Sequence, residues 1–328
     1  MMNRLAFTRA GVSSAAALGV TMVGSLPVHA ATSTDRVALR IGALPLDASA
    51  EAFYAKDMGF FDEAGIDATV TVMPNGSSLL AALAAKDLDI GFSSPGTLIN
   101  ARDHGLKMRF FCPGGIVVVD ARTAYSGLLV AKDSQILSAA DLAGKTIGVA
   151  GIKDITQFSV QAWIDSERGN ADSVQFTEIP YSAMIPALEQ GRVAAIAEPE
   201  PFLTMAKRRG ARLLGNLDAT MGRRYLITGW IINEDWPQFN SEGVSRFVAA
   251  MRRTARWANL HRSESAAILI KYSKLDPDIA STMTRALYDD SGRVDPRLLQ
   301  GPLNMLIKYG KISLRSPAEL VWPPGRDS

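Results

Sequence analysis

The feature that most constrains the fold of this chain is an internal repeat. Landmarks of a first copy recur in a second copy, and the matching pairs are Ile41 with Ile147, Pro74 with Pro180, and Leu83 with Leu188. The offset is about 105 residues, which is far longer than the period of a solenoid repeat. A duplication of this length predicts two similar folding units rather than a stack of small ones.

Each copy alternates short apolar segments with helical segments. The apolar segments are residues 39–44, 68–73 and 88–92 in the first copy and 146–150, 174–179 and 193–197 in the second. This alternation predicts a mainly parallel sheet in each copy, because parallel neighbours are connected through helices that cover both faces of the sheet. We therefore predict an α/β fold of two similar lobes.

Strand-like runs outside the two copies predict that the chain crosses between the lobes twice. These runs are residues 115–119, 127–131 and 225–232. We place the two crossings near Tyr125 and Trp230. The predicted lobes are then residues 36–122 together with 230–323, and residues 123–229. A two-strand connection is typical of proteins whose lobes close around a hinge.

Residues 1–30 have the pattern of a secretory signal peptide. Arg4 and Arg9 precede an uncharged, mostly apolar run from Ala10 to Leu26, and Val28 and Ala30 supply small residues for a cleavage site. Glycine, serine and threonine residues interrupt the run, which disfavours the alternative of a transmembrane anchor. We therefore predict a signal peptide at 1–30 and a mature protein outside the cytoplasm.

Charge and cysteine content narrow the functional classes further. The chain has 35 basic and 33 acidic residues, and loss of Arg4 and Arg9 with the signal peptide leaves 33 of each. A chain without a basic excess is a poor candidate for binding nucleic acid. Cys112 is the one cysteine, so the sequence allows neither an internal disulfide nor a lipid anchor at the cleavage site. We expect a periplasmic monomer that is not lipid-anchored.

Four segments resemble the nitrate/sulfonate/taurine and thiamine-precursor group of ABC solute-binding proteins. They are residues 53–61 (FYAKDMGFF), 81–91 (AALAAKDLDIG), 141–149 (DLAGKTIGV) and 198–202 (EPEPF). Their order makes the resemblance more specific than any one motif. It implies a type II periplasmic-binding-protein fold, a small-molecule ligand in the cleft between the lobes, and an ABC permease of the inner membrane as partner. We expect no cofactor and no metal site.

The ligand of an open α/β sheet binds beyond the carboxyl ends of the strands. This rule selects six loops, which are residues 45–49, 75–78, 93–97, 151–158, 181–183 and 198–202. The candidate ligand-binding residues on these loops are Leu46, Asp47, Asn75, Gly76, Ser93, Ser94, Pro95, Lys153, Asp154, Gln157, Phe158, Tyr181, Glu198 and Glu200. Arg122, Tyr125 and Trp230 are candidates from the two predicted crossings.

The acidic residues on these loops bear on the charge of the ligand. Asp47, Asp154, Glu198 and Glu200 are accompanied by one base, Lys153. Acids at the start of a helix also stabilise its free N–H groups, so capping and ligand binding both stay open for each acid. If even one of them faces the cleft, a neutral or cationic ligand with N–H or O–H groups is favoured over a bare anion.

The aromatic and arginine candidates also have two interpretations each. Phe158, Tyr125 and Trp230 either stack on a ring of the ligand or pack in the core and hinge. Arg122 either clamps a carboxylate with two parallel hydrogen bonds or is a solvated charge.

Two other functions compete with that of a transport receptor. One is an enzyme of the same fold that acts on a small heterocyclic metabolite. The resemblance extends to enzymes with a cysteine-rich iron motif, but a chain with one cysteine lacks that motif, and the sequence has no GxSxG, HExxH or Walker motif. The other is the binding module of a signalling protein, which we do not favour because no later segment is apolar enough to anchor it.

The signal-peptide pattern generates the first prediction. We expect cleavage after Ala30, because Val28 and Ala30 place small side chains where the signal peptidase needs them. N-terminal sequencing of the periplasmic form should then begin at Ala31. A protein that stays in the cytoplasm with Met1 intact would show that this interpretation is wrong.

Overall fold

The computed structural model describes residues 36–120, 123–236 and 240–322. The predicted signal peptide and Arg122 lie outside these residues. Within them, no helix combines the length and the apolar character needed to cross a membrane.

The strands follow the chain from the first copy of the repeat to the C-terminal segment. They are β1 (Val37–Ala43), β2 (Ile66–Val72), β3 (Ile90–Ser93), β4 (Met108–Pro113), β5 (Gly115–Val118), β6 (Ser126–Val130), β7 (Thr146–Val149), β8 (Gln175–Glu178), β9 (Ala195–Pro199), β10 (Arg212–Asn216), β11 (Arg224–Leu226), β12 (Gly229–Asn233) and β13 (Leu287–Tyr288). The ends of the six strands predicted for the two copies lie within two residues of the observed ends.

The helices fill the intervals between the strands and most of the C-terminal segment. They are α1 (Glu51–Asp57), α2 (Phe60–Glu63), α3 (Gly76–Ala84), α4 (Pro95–Asp103), α5 (Ile155–Ser166), α6 (Tyr181–Glu189), α7 (Phe202–Arg208), α8 (Ser241–Leu260), α9 (Arg262–Ser273), α10 (Pro277–Thr282) and α11 (Gln300–Met305). Short 3-10 turns lie at Asp47–Ser49, Ala140–Leu142, Ala171–Ser173, Asp218–Met221, Pro296–Leu299 and Pro317–Leu320, and a π-helical turn lies at Leu306–Gly310.

The two copies of the repeat form two sheets of the same design. The first sheet has the order β2-β1-β3-β12-β4, and the second has the matching order β8-β7-β9-β6-β10. In each sheet the three strands of the repeat run parallel, and the remaining two are antiparallel to their neighbours. The fourth strand of each sheet, β12 or β6, is the strand that follows a crossing.

A glycine recurs at the centre of both copies, and in the first copy it allows a tight contact between helix and sheet. Gly42 in β1 corresponds to Gly148 in β7. A Cβ atom at Gly42 would lie 2.5 Å from Leu88 Cδ1, and one at the neighbouring Gly91 would lie 2.4 Å from Leu79 Cδ2. The leucines of α3 and the following loop therefore pack directly onto the backbone of the first sheet.

The crossing strands form a small sheet of their own, with the order β11-β5-β13. β5 leads from the first sheet to the second and β11 leads back, and the two pair antiparallel between Val118 and Arg224 at one end and Ile116 and Leu226 at the other. Trp230 was predicted at the crossing, but it lies inside β12 and is buried in the core of the first sheet. The predicted lobe boundaries stay a prediction.

Amphipathic α8 covers the first sheet together with α1 and α2. Its buried residues recur at helical spacing, as Val244, Phe247, Met251, Thr254 and Ala258 show. Arginines occupy the exposed face, where Arg253 pairs with Glu63 and Arg256 pairs with Asp290. The helical C-terminal segment thus belongs to the core of the first sheet.

A buried ion pair joins the loop after β1 to the segment before β13. The Asp47 carboxylate is fully buried and accepts the Arg285 Nε–H at 2.5 Å and the Ala286 N–H at 2.6 Å. Arg285 also donates to the Tyr54 hydroxyl at 2.8 Å. The capping interpretation of Asp47 is therefore wrong, because its side chain accepts no cap hydrogen bond. The carboxylate is paired with the Arg285 guanidinium instead.

This ion pair generates a stability prediction. Asp47→Asn should lower the free energy of unfolding by about 3–5 kcal/mol, because the buried Arg285 guanidinium loses its counter-charge. Urea unfolding followed by circular dichroism measures the loss. The control Asp290→Asn, which breaks the exposed ion pair with Arg256, should cost less than about 1 kcal/mol. Equal, small losses in the two variants would contradict the role assigned to Asp47.

Candidate functional site

A cavity of about 250 Å³ lies between the ends of the two large sheets. Each of the six loops selected from the sequence contributes to its wall, through Leu46, Gly76, Ser94, Asp154, Tyr181 and Glu198 among others. The parallel strands bring these loops together, because their carboxyl ends lie on one edge of each sheet. Helices α3, α4, α5 and α6 all begin at this cavity.

The structure brings more than half of the predicted site residues to the wall of the cavity. These residues are Leu46, Gly76, Ser93, Ser94, Pro95, Tyr125, Asp154, Tyr181, Glu198 and Glu200. They come from both halves of the repeat, so the cavity needs both sheets in place.

Three predicted residues, Asn75, Lys153 and Gln157, take part in local hydrogen bonds at the start of a helix. Asn75 is the N-cap of α3 and accepts the Ser78 N–H at 2.8 Å. The Gln157 side chain accepts the Lys153 N–H at 2.8 Å, which fixes the turn before α5. Side-chain oxygens of Asn75 and Gln157 are thus used in local hydrogen bonds, and Asn75, Lys153 and Gln157 are not on the cavity wall.

Three further predicted residues are buried in packing contacts. Asp47 is held by Arg285 as described above. Phe158 stacks on Tyr309 with ring centroids 6.2 Å apart, and the Trp230 Nε1–H donates to Glu51 Oε2 at 3.2 Å. For Phe158 and Trp230 the packing interpretation therefore fits the structure better than stacking on a ligand. Arg122 lies outside the described residues.

The sequence did not single out the residues that connect the cavity to the crossing strands. Asp218 accepts the Tyr125 N–H at 2.6 Å, the Ser126 hydroxyl at 2.6 Å and the Tyr225 hydroxyl at 3.0 Å. Thr228 donates to the Ala48 carbonyl at 2.8 Å. Ser126, Tyr225 and Thr228 line the cavity. The feature of the sequence that could have identified these residues is their position beside the apolar crossing strands.

Two acids on the wall, Asp154 and Glu200, accept hydrogen bonds from neighbouring groups of the protein. Asp154 is the N-cap of α5 and accepts the N–H groups of Thr156 and Gln157, so its capping interpretation is correct. Glu200 accepts the Thr204 hydroxyl at 2.8 Å and the Thr284 N–H at 3.1 Å. Burial raises the pKa of both carboxyls, and these hydrogen bonds oppose the rise.

Glu198 is the acid on the wall for which the described residues supply no partner. The residue is 1% exposed, lies on β9, and neither carboxyl oxygen has a hydrogen bond. Burial raises its pKa to about 9. An unpartnered buried carboxyl is costly, so most native structures avoid one or use it. Here the group lines a cavity that can admit a donor.

A tyrosine forms the adjacent part of the wall. The Tyr181 ring stacks on Phe202 with centroids 5.5 Å apart. Burial raises the pKa of Tyr181, and the carboxyls of Asp154 and Glu198 on the same wall raise it further. Among the described residues that line the cavity there is no lysine, arginine or histidine. The site thus combines an apolar surface with carboxyls and hydroxyls, a set suited to hydrogen-bonding a small polar molecule.

Solved structures of similar proteins show the fold class of this protein. The periplasmic aliphatic sulphonate binding protein SsuA of Escherichia coli matches 88% of this chain and 92% of its own, with a TM-score of 0.70 and 18% identity. A ligand-binding component of an ABC-type import system from Staphylococcus aureus matches 88% and 97%, with a TM-score of 0.75 and 14% identity. The predicted type II periplasmic-binding-protein fold is confirmed.

The sequence comparison then gives the family. The profile of the family described as NMT1/THI5 like matches residues 48–265, so the chain belongs to this family. A Brucella abortus (strain 2308) protein that is named as a binding protein is 24% identical over 280 residues, which cover 81% of this chain and 82% of that protein. The desulfurization enzyme DSZB also has this fold, with a TM-score of 0.64, 18% identity, and matches over 88% of this chain and 97% of its own.

The buried carboxyl of Glu198 predicts a pH-dependent stability. Its pKa of about 9 in the folded protein exceeds the value of about 4.3 in the unfolded chain, so the folded state holds the proton more tightly. The resulting stabilisation is complete below about pH 4.3 and is lost by about 1.4 kcal/mol per pH unit as the pH rises towards 9.

Glu198→Gln, which imitates the neutral acid, should remove this dependence. Urea unfolding of ligand-free protein at pH 5.5 gives a reference difference in the free energy of unfolding between variant and wild type. At pH 8 this difference should have shifted by about 3 kcal/mol in favour of the variant. A difference between the two proteins that stays constant across this range would contradict the assignment.

Proposed function

We propose that the protein is an exported solute-binding receptor, which captures a small organic molecule between its lobes and delivers it to an ABC permease of the inner membrane. The cavity carries this proposal, because residues from both copies of the repeat line one shared space. A site divided between two lobes can close on a ligand and release it when the lobes separate. We propose further that the receptor is a periplasmic monomer without a lipid anchor.

Polar contacts across the cleft support reversible closure. The Asn100 side chain donates to the Lys153 carbonyl at 3.2 Å, and Lys308 pairs with Asp165 at 2.9 Å. Both contacts are exposed, and exposed pairs contribute only about 0–1 kcal/mol each. Phe158 adds an apolar contact with Tyr309 and Gly310. Contacts of this size allow a ligand to tip the balance between open and closed lobes.

A binding role is favoured over catalysis by the position of the one cysteine. DSZB shows that this fold also accommodates an enzyme. Cys112 lies in β4, is 1% exposed, and is not on the cavity wall. Burial raises the pKa of its thiol well above the ordinary value, which disfavours the reactive thiolate. The relatives named as binding proteins agree with the receptor.

Filling the cavity from Gly76 tests the proposal. Gly76 is the first residue of α3 and lines the wall, and a Cβ atom there would meet Thr97 Cγ2 at 3.6 Å, an ordinary contact. Gly76→Leu should therefore fold normally and lose at least about tenfold in ligand affinity, because the new side chain takes the place of the ligand. The control Ser77→Leu alters the next, exposed position of the same helix.

Native mass spectrometry of protein purified from the periplasm, or mixed with a metabolite extract, measures the occupancy. We expect a small-molecule adduct on the wild type and on Ser77→Leu, and its loss on Gly76→Leu. An adduct retained by Gly76→Leu would place the ligand elsewhere. A wild type that takes up no small molecule from any extract would contradict the receptor function.

A further inference from the structure

The open question at this cavity is which chemical group of the ligand meets Glu198. We propose that the ligand is an organic cation whose N–H groups pair with both free oxygens of Glu198, and that it enters in exchange for the proton of that carboxyl. This inference rests on the proposed receptor function and adds the chemical class of the ligand.

The first argument is the contrast between Glu198 and the other acids. Asp154 and Glu200 accept hydrogen bonds from helix N–H groups and hydroxyls, as described above. Both oxygens of Glu198 are buried without a partner among the described residues, although the residue lies on the wall of the cavity. A ligand that supplies two N–H donors satisfies both oxygens at once, and such paired, charge-assisted hydrogen bonds are among the strongest in proteins.

The second argument is the charge of the wall. Three carboxyls line the cavity, and the described wall residues include no basic side chain to offset them. Helix N-termini at the cavity favour anions in general. At α3, α4 and α5, however, the side chains of Asn75, Ser94 and Asp154 already accept first-turn N–H groups. Of the four helices that begin at the cavity, α6 alone has no side-chain cap, so a ligand carboxylate or sulfonate would meet the carboxyls with few free donors.

The third argument concerns protonation. In the empty cavity burial raises the pKa of Glu198 to about 9, so the group is neutral at pH 7. A bound cation stabilises the carboxylate and expels the proton. As the pH increases towards 9, the affinity for a cation should then rise by up to about tenfold per pH unit. The affinity for a neutral or anionic ligand should instead stay constant or fall.

Other titratable groups on the wall could add to this pH dependence. They are Asp154, Glu200, Tyr125, Tyr181 and Tyr225. Burial raises the pKa of each tyrosine above its ordinary value, so the three phenols keep their protons between pH 6 and 8. The two acids remain in a Glu198→Gln variant, so the comparison of that variant with the wild type isolates the contribution of Glu198.

The experiment uses ligands that share a skeleton and differ in charge. Each set contains an amidinium, the matching carboxamide and the matching carboxylate, for example benzamidinium with benzamide and benzoate, and acetamidinium with acetamide and acetate. Calorimetry at pH 6 and pH 8 measures binding to wild type, Glu198→Gln and Glu51→Gln. Glu51 is the matched control, because it is also a buried glutamate with an unpartnered oxygen but does not line the cavity.

We expect the amidinium members to bind the wild type and Glu51→Gln most tightly, with affinities that rise up to about 100-fold from pH 6 to pH 8. In Glu198→Gln this rise should shrink to less than about threefold, and the affinity at pH 8 should fall at least about tenfold. Preferential binding of the carboxamides or carboxylates, no binding of the amidinium members, or an unchanged pH dependence in Glu198→Gln would overturn the inference.

The failure of this inference and that of the receptor function are distinguishable. If neutral or anionic members bind, and Gly76→Leu abolishes that binding, the receptor function stands and the cation is excluded. If neither the three charge classes nor a metabolite extract yields a ligand that Gly76→Leu displaces, the receptor function itself fails.

Discussion

The antiparallel pairing of β5 with β11 is the contact on which the arrangement of the two sheets depends. Each copy of the repeat supplies three parallel strands, and the fourth strand of each sheet arrives through a crossing. Asp218 secures the place where the first crossing enters the second sheet, because it accepts hydrogen bonds from Tyr125, Ser126 and Tyr225. Flexing at the crossings would therefore change the distance between the sheets while leaving each sheet intact.

Four buried carboxyls of this protein differ in the partners that they have. Asp47 is neutralised by Arg285, and Asp218 is satisfied by N–H and O–H donors. Glu51 accepts from Trp230 with one oxygen inside the core. Glu198 accepts from no donor in the described part of the chain. Burial imposes a desolvation cost on each, so the difference lies in what offsets that cost, and for Glu198 nothing in the described residues does so.

The sequence predicted the sheets well, because an apolar strand between two helices leaves a local pattern. The internal repeat added a second, independent copy of that pattern, which fixed the number of lobes. Periodicity does not report which sheet a strand joins, so Trp230 was placed at a crossing although β12 belongs to the first sheet. The six loops were predictable from a topological rule, since strand ends position them without regard to their side chains.

Individual side-chain roles were less predictable, because their partners are distant in the sequence. Arg285 lies 238 residues after Asp47, and no local pattern connects them. Asp154 was easier to interpret, since a cap and its helix are adjacent. For Glu198 the decisive fact is the lack of a partner, which becomes visible only when every neighbouring group has been placed.

The position of Glu198 also relates the cavity to the crossing. In β9, Glu198 lies opposite Gly127 of β6, and the Glu200 N–H donates to the Tyr125 carbonyl at 2.8 Å. Tyr125 and Ser126 are the residues that Asp218 holds at the entry to the second sheet. A ligand group bound to Glu198 is thus separated from the crossing by a single strand pair. Hydrogen bonds of this strand pair therefore connect the wall of the cavity directly to the crossing, and under the proposed function this pair is where a bound ligand would be coupled to the movement of the lobes.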